Sequence, residues 1–391
     1  MSSALASERV RRDVEVLATA GLDLAEFLDE VHQSLQRAVP HSGACANTVD
    51  PATQLATAAF KFGAMAGADD HDAEWCLIEY GDPDATSFRA LGATDDGVAR
   101  LRHDSGDDPT SIRRYRDYFR PHFGIGDELR AVVRAEGTCW GGLALFRSEG
   151  EAPFSDDDAA LLGSLSTHLA NGYRSGILVR LLSDVGADAV PGPATVIVDP
   201  TNQVRQASVG ARERLDELGL GLGADGQLPV VVAALVAGAR RFSAGELPVL
   251  PRSRIRTAAG HWLVLHASPL DGAGAGASAG DVVVTIEEAR PPEIVPLVVA
   301  AFDLTPRERD VIQLVLSGTE TKQIARSLHL SAYTVQDHLK SIFEKAGVHS
   351  RRELLGRVFF DQYAPRFGAS LAPSGWFQEP STDDGTPAPL R

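Results

Sequence analysis

The stretch LTPRERDVIQLVLSGTETKQIARSLHLSAYTVQDHLKSIFEKAG, from Leu304 to Gly347, constrains this chain more than any other. It carries start and stop signals for three successive helices. Thr305, Pro306 and Glu308 form a capping box with a preset first φ. Val311, Ile312, Leu314, Val315 and Leu316 supply a buried side, and Gly318 supplies a C-terminal stop. A short second helix over ETKQIARSLH turns Ile324, Ala325 and Leu328 inward. A tight break at His329-Leu330 then leads to Ser331, a good N-cap. In the third helix Val335, Leu339, Ile342, Phe343 and Ala346 recur at helical spacing and bury one stripe. Tyr333, Gln336, Asp337, Lys340 and Glu344 fall on the other side. Two short helices about a tight turn, the second showing polar residues from its N-terminal half, make a helix-turn-helix.

Charge decides whether that face tolerates phosphate. The chain of 391 residues carries a net charge of −16, which argues against its whole surface binding nucleic acid. Residues 303–360 hold nine cations (Arg307, Arg309, Lys322, Arg326, Lys340, Lys345, Arg351, Arg352 and Arg357) against seven anions, a net +2. The segment from Asp361 onward is −2, which leaves about −16 on residues 1–302. The helical module is therefore the one part of the chain that is electrostatically permissive. A Gln there can pair with adenine and a Lys with guanine or phosphate, and the Ser331 and Thr334 hydroxyls can meet phosphates.

Elsewhere the pattern is mixed α and β. Two helices, Ala6–Thr19 and Leu22–Ala38, open the chain, and residues 41–60 read as strand-turn-strand about Asp50-Pro51. EWCLIEY (74–80) is an apolar run, Thr110–Phe119 a charged helix, and residues 127–149 a hairpin turning near Glu136-Gly137. Ser155 caps a long helix whose Leu161, Leu162, Leu165, Leu169 and Tyr173 form one apolar stripe, either core or a homodimer seam. SDVGADAVPGP (183–193) is a small, polar linker. After it, strands at 194–198 and 204–207, helices at 209–218 and 230–240, two strands about Ala259-Gly260 and a last strand at 281–288 suggest one antiparallel sheet with helices on one side. RPPEIVPLVVAAFDLT (290–305) reads as a docked helix rather than a tether. Residues 361–391 are rich in Pro, Gly, Ser and Asp and read as a disordered tail.

Several features that look chemical have plainer readings. Gly221–Gly226 fits GxGxxG but lacks the strand before it and the helix after it, so it reads as a loop. The run GAGAGASAG (272–280) has no Lys-Ser/Thr to make a Walker loop. Asp69-Asp70-His71-Asp72 reads as a solvated turn, because four consecutive residues do not converge easily on an ion. The three cysteines, Cys45, Cys76 and Cys139, match no zinc spacing or disulfide framework and are expected reduced. Trp75, Tyr80, Cys139 and Trp140 read as core, with a pocket wall as the alternative. No motif of a nucleophile elbow, HExxH or paired carboxylates is apparent, so the chain is not expected to be an enzyme. There is no apolar run long enough for a membrane helix and no signal-peptide pattern, which makes cytoplasm the default location.

The module's text closely resembles the LuxR/NarL-type DNA-binding domain: LTPRE, the Gly318 stop, K-x-I-A at Lys322–Ala325, LHLSAYTV at 328–335, then H-L-x-x-I and K-x-G-V. That resemblance implies a domain that enters the major groove of double-stranded DNA with its second helix-turn-helix helix, here residues 332–346, as a homodimer. Carried over by position, Gln336, Asp337 and Lys340 take groove-facing roles beside Tyr333. Lys322, Ser331, Thr334 and Lys345 become candidate backbone contacts. The family often has a basic or neutral residue where Asp337 stands, so this acid must accept from a cytosine amine or bond a neighbouring side chain. Residues 1–183 resemble a GAF sensory domain through the hairpin and the P-F-S-x-x-D-x-x-L-L exit helix, and residues 188–290 more weakly resemble a PAS-like domain. The expected class is multidomain: α/β (α+β) sensor domains, a linker helix at 291–302, an all-α helix-turn-helix domain at 303–360 and the tail. A small-molecule ligand or RNA polymerase would be further partners; no cofactor is implied. A sigma-factor-like promoter reader and an enzyme with a DNA-targeting module are the alternatives.

Overall fold

The computed structural model describes residues 3–106, 108–180, 193–218, 228–257, 262–270 and 280–360. The loop over Gly221–Gly226, most of GAGAGASAG, nearly all of the 183–193 linker and the tail from 361 lie outside them. Two compact units emerge. One contains residues up to Asp303 and the other the helices from Leu304 onward. The expected class is borne out, with two antiparallel sheets and their helices preceding an all-helical domain.

The first half of the larger unit runs α1 (Ser3–Thr19), α2 (Leu24–Leu35), β1 (Gly43–Val49), β2 (Ala56–Gly63), α3 (Asp72–Gly81), α4 (Phe88–Leu91), β3 (Val98–Arg100), α5 (Leu101–Asp104), α6 (Arg120–Phe123), β4 (Ile125–Ala135), β5 (Thr138–Ser148), α7 (Asp156–Ser164) and α8 (Ser166–Arg180). Its strands form an antiparallel sheet in the order β2-β1-β5-β4-β3. Two adjacent glycines in β5 show how both faces are covered. A Cβ on Gly141 would meet Tyr173 of α8 at 2.7 Å, and one on Gly142 would meet Phe88 of α4 at 2.4 Å. Successive strand residues point to opposite faces, so α8 and α4 lie on opposite sides of the sheet.

Three expectations change in detail. EWCLIEY is helical, within α3. Cys76 and Tyr80 face the core of the second sheet while Ile78 packs into the first, so burial on two sides erases the amphipathic period. The charged segment near 110–119 is a 3₁₀ turn (Pro109–Ser111) and a π-helical turn (Arg114–Phe119), with Arg114, Tyr115, Tyr118 and Phe119 inward. The exit helix breaks at Leu165. There the Ser166 hydroxyl donates to the Val132 carbonyl at 2.8 Å and accepts from Arg134 N–H at 3.0 Å, tying the helix to β4. The capping box at Ser155 and Asp158 is present. Leu161, Leu162, Leu165, Leu169 and Tyr173 are all buried within the chain, so the stripe is core and not a dimer seam.

The second half adds β6 (Ala194–Val198), β7 (Val204–Ala207), α9 (Ala211–Glu217), α10 (Val230–Ser243), β8 (Arg252–Arg256), β9 (Trp262–Pro269), β10 (Val282–Glu288) and α11 (Pro291–Ala301). Its sheet order is β7-β6-β10-β9-β8. Every residue of α10 from Val230 to Ala239 is buried. A helix that is apolar all round needs cover on all sides. The second sheet covers one side, α3 and β2 the other, and Leu55, Ala56, Cys76 and Tyr80 join the second sheet's core. The two sheets thus share one core across the linker. Arg254 of β8 also reaches Asp50 after β1, with Nε–Oδ2 at 2.7 Å and Nη2–Oδ1 at 2.6 Å. Of the stretch 290–305 expected as a docked helix, Pro291–Ala301 is helical: Ile294, Leu297, Val298 and Ala301 of α11 are buried, and the helix packs on α8.

Among the described residues, no helix is long and apolar enough to cross a membrane.

Candidate nucleic-acid interface

The smaller unit is built from α12 (Pro306–Leu316), α13 (Thr321–Ser327), α14 (Ala332–Ala346) and α15 (Arg351–Leu355), closed by a π-helical turn at Gly356–Phe360. Its helix starts follow the sequence closely. Thr305 Oγ1 accepts from Glu308 N–H at 3.3 Å, and the Glu308 carboxylate accepts from Thr305 N–H at 2.8 Å. Ser331 Oγ accepts from Thr334 N–H at 3.0 Å and so caps α14.

The helix ends repeat one device. After α12, Gly318 N–H donates to Val315 O at 3.0 Å and Thr319 N–H to Leu314 O at 2.9 Å. After α13, His329 N–H reaches Arg326 O at 3.3 Å and Leu330 N–H reaches Ala325 O at 2.8 Å. After α14, Gly347 N–H reaches Glu344 O at 3.1 Å and Val348 N–H reaches Phe343 O at 2.9 Å. Each is a Schellman stop, which needs a left-handed residue at its centre. Gly318 and Gly347 suit that, with φ +82° and +65°; His329 adopts φ +54° without the glycine. That residue makes the tight turn between α13 and α14.

Val311, Ile312, Val315, Ile324, Ala325, Val335, Leu339, Ile342 and Ala346 are buried, while Leu314, Leu316, Leu328 and Phe343 are half-buried. Gly-stopped, capped helices with these apolar stripes hold the remaining face of α14 outward. Tyr333, Gln336, Asp337, Lys340 and Glu344 are all exposed, Tyr333 by 73%. The side chains of Gln336, Asp337 and Lys340 have no hydrogen-bond or ion-pair partner among the described residues. Asp337 therefore does not bond a neighbouring side chain, which was one of its two expected roles.

The backbone-contact candidates divide. Lys322 is exposed and unpartnered among the described residues, as are Arg326 and Arg352. Ser331 and Thr334 sit at the first turn of α14 with their hydroxyls 2.9 Å apart. Lys345 is engaged inside the domain, its Nζ 2.8 Å from Glu308 Oε2. Ser341 donates to the other Glu308 oxygen at 2.6 Å. Burial pushes the Glu308 carboxyl up, but the bonds from Lys345, Ser341 and Thr305 N–H outweigh it and hold it at about 2. Other cations are also structural. Arg351 donates to the Val315 and Thr319 carbonyls at the end of α12, Arg309 to Leu304 O, and Arg307 to Leu328 O and Asp310. The sequence did not mark the bonds from Arg351 and from Arg307 to Leu328 O, because they join residues distant along the chain. Arg326, beside the K-x-I-A text, is an unpaired cation that the motif reading passed over.

Of the four N-terminal residues expected as core or pocket wall, Tyr80 is in the shared core, Trp75 packs against both cores, Cys139 is half-buried and Trp140 is buried.

The family model for bacterial regulatory proteins of the luxR family matches residues 303–357. Over 52 residues the chain is 48% identical to an HTH-type transcriptional regulator of Mycobacterium tuberculosis H37Rv, covering 13% of this chain and 6% of that protein. It is 43% identical over 56 residues to the monoamine regulon transcriptional regulator of Klebsiella aerogenes, 14% of this chain and 25% of that one. The chain thus spans a quarter or less of the length of these relatives. Among solved structures, Escherichia coli SdiA aligns with 90% of this chain and 95% of its own at 12% identity, with a TM-score of 0.32 that is too low to equate the folds. Residues 303–357 of this chain belong to the luxR family of bacterial regulatory proteins.

Proposed function

We propose that the whole chain is a sequence-specific, DNA-binding transcription regulator that docks α14 in the major groove as a homodimer, under control of its N-terminal sheets. The observation that carries this reading is the row Gln336, Asp337 and Lys340: exposed, on one helix face, and without internal partners among the described residues. Polar groups left unspent by the fold are available to base edges. Gln336 is suited to adenine and Lys340 to guanine, and Asp337 to the amino group of cytosine. Lys322 and Arg326, unpaired, and the Ser331 and Thr334 hydroxyls at the start of α14 serve as phosphate contacts. Lys345 holds Glu308 and contributes to DNA through the position of α14 rather than by direct contact. A module of net +2 on a −16 chain gives weak non-specific affinity, which favours two copies acting on paired half-sites.

The reading makes the chain a regulator and not an enzyme, with a small molecule or RNA polymerase as the further partner of the sheets. Its test is selection of random duplexes by the full-length protein. An enriched motif with two-fold symmetry is expected. Recovery of no motif, with turnover of a small molecule by the same preparation, would favour an enzyme instead.

A further inference from the structure

The acidic run Asp69-Asp70-His71-Asp72 does not act as one group. Lys61 Nζ donates to Asp69 Oδ1 at 2.9 Å and also pairs with Asp72, so those two carboxylates are spent. His71 is instead met by groups from outside the run. Glu74, in the first turn of α3, has its Oε2 3.9 Å from His71 Nδ1. His122 of α6, distant along the chain, brings its Nε2 to 3.1 Å from the same Glu74 oxygen. One ligand atom from each of the three residues lies within 4.8 Å of the other two. All three side chains reach solvent, His71 by 41%, Glu74 by 46% and His122 by 27%. Apart from Glu74, neither imidazole has a hydrogen-bond partner among the described residues. Asp70 and Arg113 line the same surface groove, and the Arg113 charge is met by Asp82 at 2.9 Å and Asp117 at 3.5 Å. A carboxylate beside one imidazole is an ordinary surface pair; a second imidazole with no other bond makes it a ligand set.

We propose that His71, Glu74 and His122 bind a divalent transition-metal ion of the zinc class, with a fourth position open to water. Two imidazole nitrogens and one carboxylate oxygen are donors that Zn²⁺ takes, whereas Mg²⁺ and Ca²⁺ prefer oxygen alone. With bonds of about 2.0–2.2 Å, the donors of a tetrahedral ion stand roughly 3.4 Å apart. The separations of 3.1 and 3.9 Å bracket that value, so only small side-chain movements bring the three atoms to one ion. Orientation asks for more. The two rings are stacked, with centroids 3.9 Å apart and 23° between their planes. A metal lies near the plane of each imidazole it binds, so one ring must turn out of the stack. His71 is the one free to turn: it is the more exposed and makes no hydrogen bond among the described residues, while Tyr118 holds His122 edge-on. The bound ion would join the first turn of α3 to α6. Because α3 serves the cores of both sheets, binding favours the folded larger unit by mass action. The site stands whether or not the chain reads DNA.

Titration calorimetry of the chelator-treated full chain with Zn²⁺ makes the test, with His71→Gln, Glu74→Gln and His122→Gln beside the wild type. The wild type should take up one Zn²⁺ with a micromolar Kd, unmoved by millimolar Mg²⁺. Each variant should weaken that binding by at least the roughly tenfold that loss of an outer-shell partner already costs a metal site. The chain has eleven histidines, so the position of the ion is read separately. Diethyl pyrocarbonate modification of the wild type, mapped by mass spectrometry, should show Zn²⁺ shielding His71 and His122 and leaving the other histidines as reactive as before. Binding that all three variants leave unchanged would overturn the site. So would shielding of other histidines while these two stay reactive, or no saturable binding below about 1 mM. Should a variant fail to fold, the modification map of the wild-type chain still decides. Hydrogen exchange tests the link between helices: Zn²⁺ should slow exchange at the start of α3 and in α6. Unchanged exchange beside a shielded pair of histidines overturns that link and leaves the site.

Discussion

Lys345 Nζ sits 2.8 Å from Glu308 Oε2, joining the end of α14 to the first turn of α12. The same carboxylate completes the Thr305 capping box and accepts from Ser341. One buried acid thus fixes the start of α12 and, through two residues of α14, the pose of the helix that carries the proposed reading face. Glu308→Gln keeps the shape but loses the ion pair, and should destabilise the C-terminal domain by about 2 kcal/mol in chemical denaturation. The pH dependence has a definite sign. The folded carboxyl titrates at about 2, below its usual 4.5. Its stabilisation is therefore full above pH 4.5 and is lost as pH falls toward 2. Denaturation midpoints between those values should drop in the wild type and flatten in Glu308→Gln.

His329 holds a left-handed φ of +54° in the turn between α13 and α14. A side chain there costs on the order of 1 kcal/mol relative to glycine, partly offset by the extra freedom glycine has in the unfolded chain. His329→Gly should raise stability by a few tenths to about 1 kcal/mol, as the shift in thermal midpoint would show. A clear loss would mean that the imidazole makes a contact worth more than the strain.

Asp50 and Arg254 are 204 positions apart and both are buried. Removing one partner leaves the other charge stranded, at about 3–5 kcal/mol. Asp50→Ala should therefore destabilise both sheets together, and hydrogen exchange should show β1 and β8 losing protection in parallel. Loss confined to one sheet would contradict the shared core.

Burial pushes the Cys45 thiol up to about 12 and raises Cys76 and Cys139 as well. Thiolate is the reactive form, so all three should alkylate slowly at pH 8 in the native chain, on the order of ten times slower or more than in denaturant. Mass spectrometry of iodoacetamide-treated protein would measure this residue by residue.

The C-terminal domain was legible because its signals are local. Caps at Thr305 and Ser331, stops at Gly318 and Gly347, and the spacing from Val335 to Ala346 each act within one or two turns. Strand-turn-strand about Asp50 and the Glu136-Gly137 hairpin were legible for the same reason. Long-range relationships were not. Helix α3 loses its period because two cores claim it, and the bend at Leu165 depends on Ser166 meeting β4. The polar linker near 184 suggested independent domains, yet α10 is buried between two sheets that share its surface. Lys345 carries a motif letter, and no local pattern reveals that Glu308 occupies its ammonium.

The exposed row Gln336, Asp337 and Lys340, proposed to face the groove, gives the most direct test. A duplex selected by the full-length protein would be titrated by fluorescence anisotropy against a scrambled duplex over a range of salt, with wild type, Lys340→Ala and Asp337→Asn. Lys340→Ala should lose about 1–3 kcal/mol on the selected duplex and relax its discrimination. Asp337→Asn should bind the scrambled duplex more tightly, because an acid facing phosphate is removed, while losing preference at one base pair. Equal affinity of the folded Lys340→Ala and wild-type proteins for the selected duplex, with discrimination intact in both variants, would contradict the assignment of this helix face to DNA.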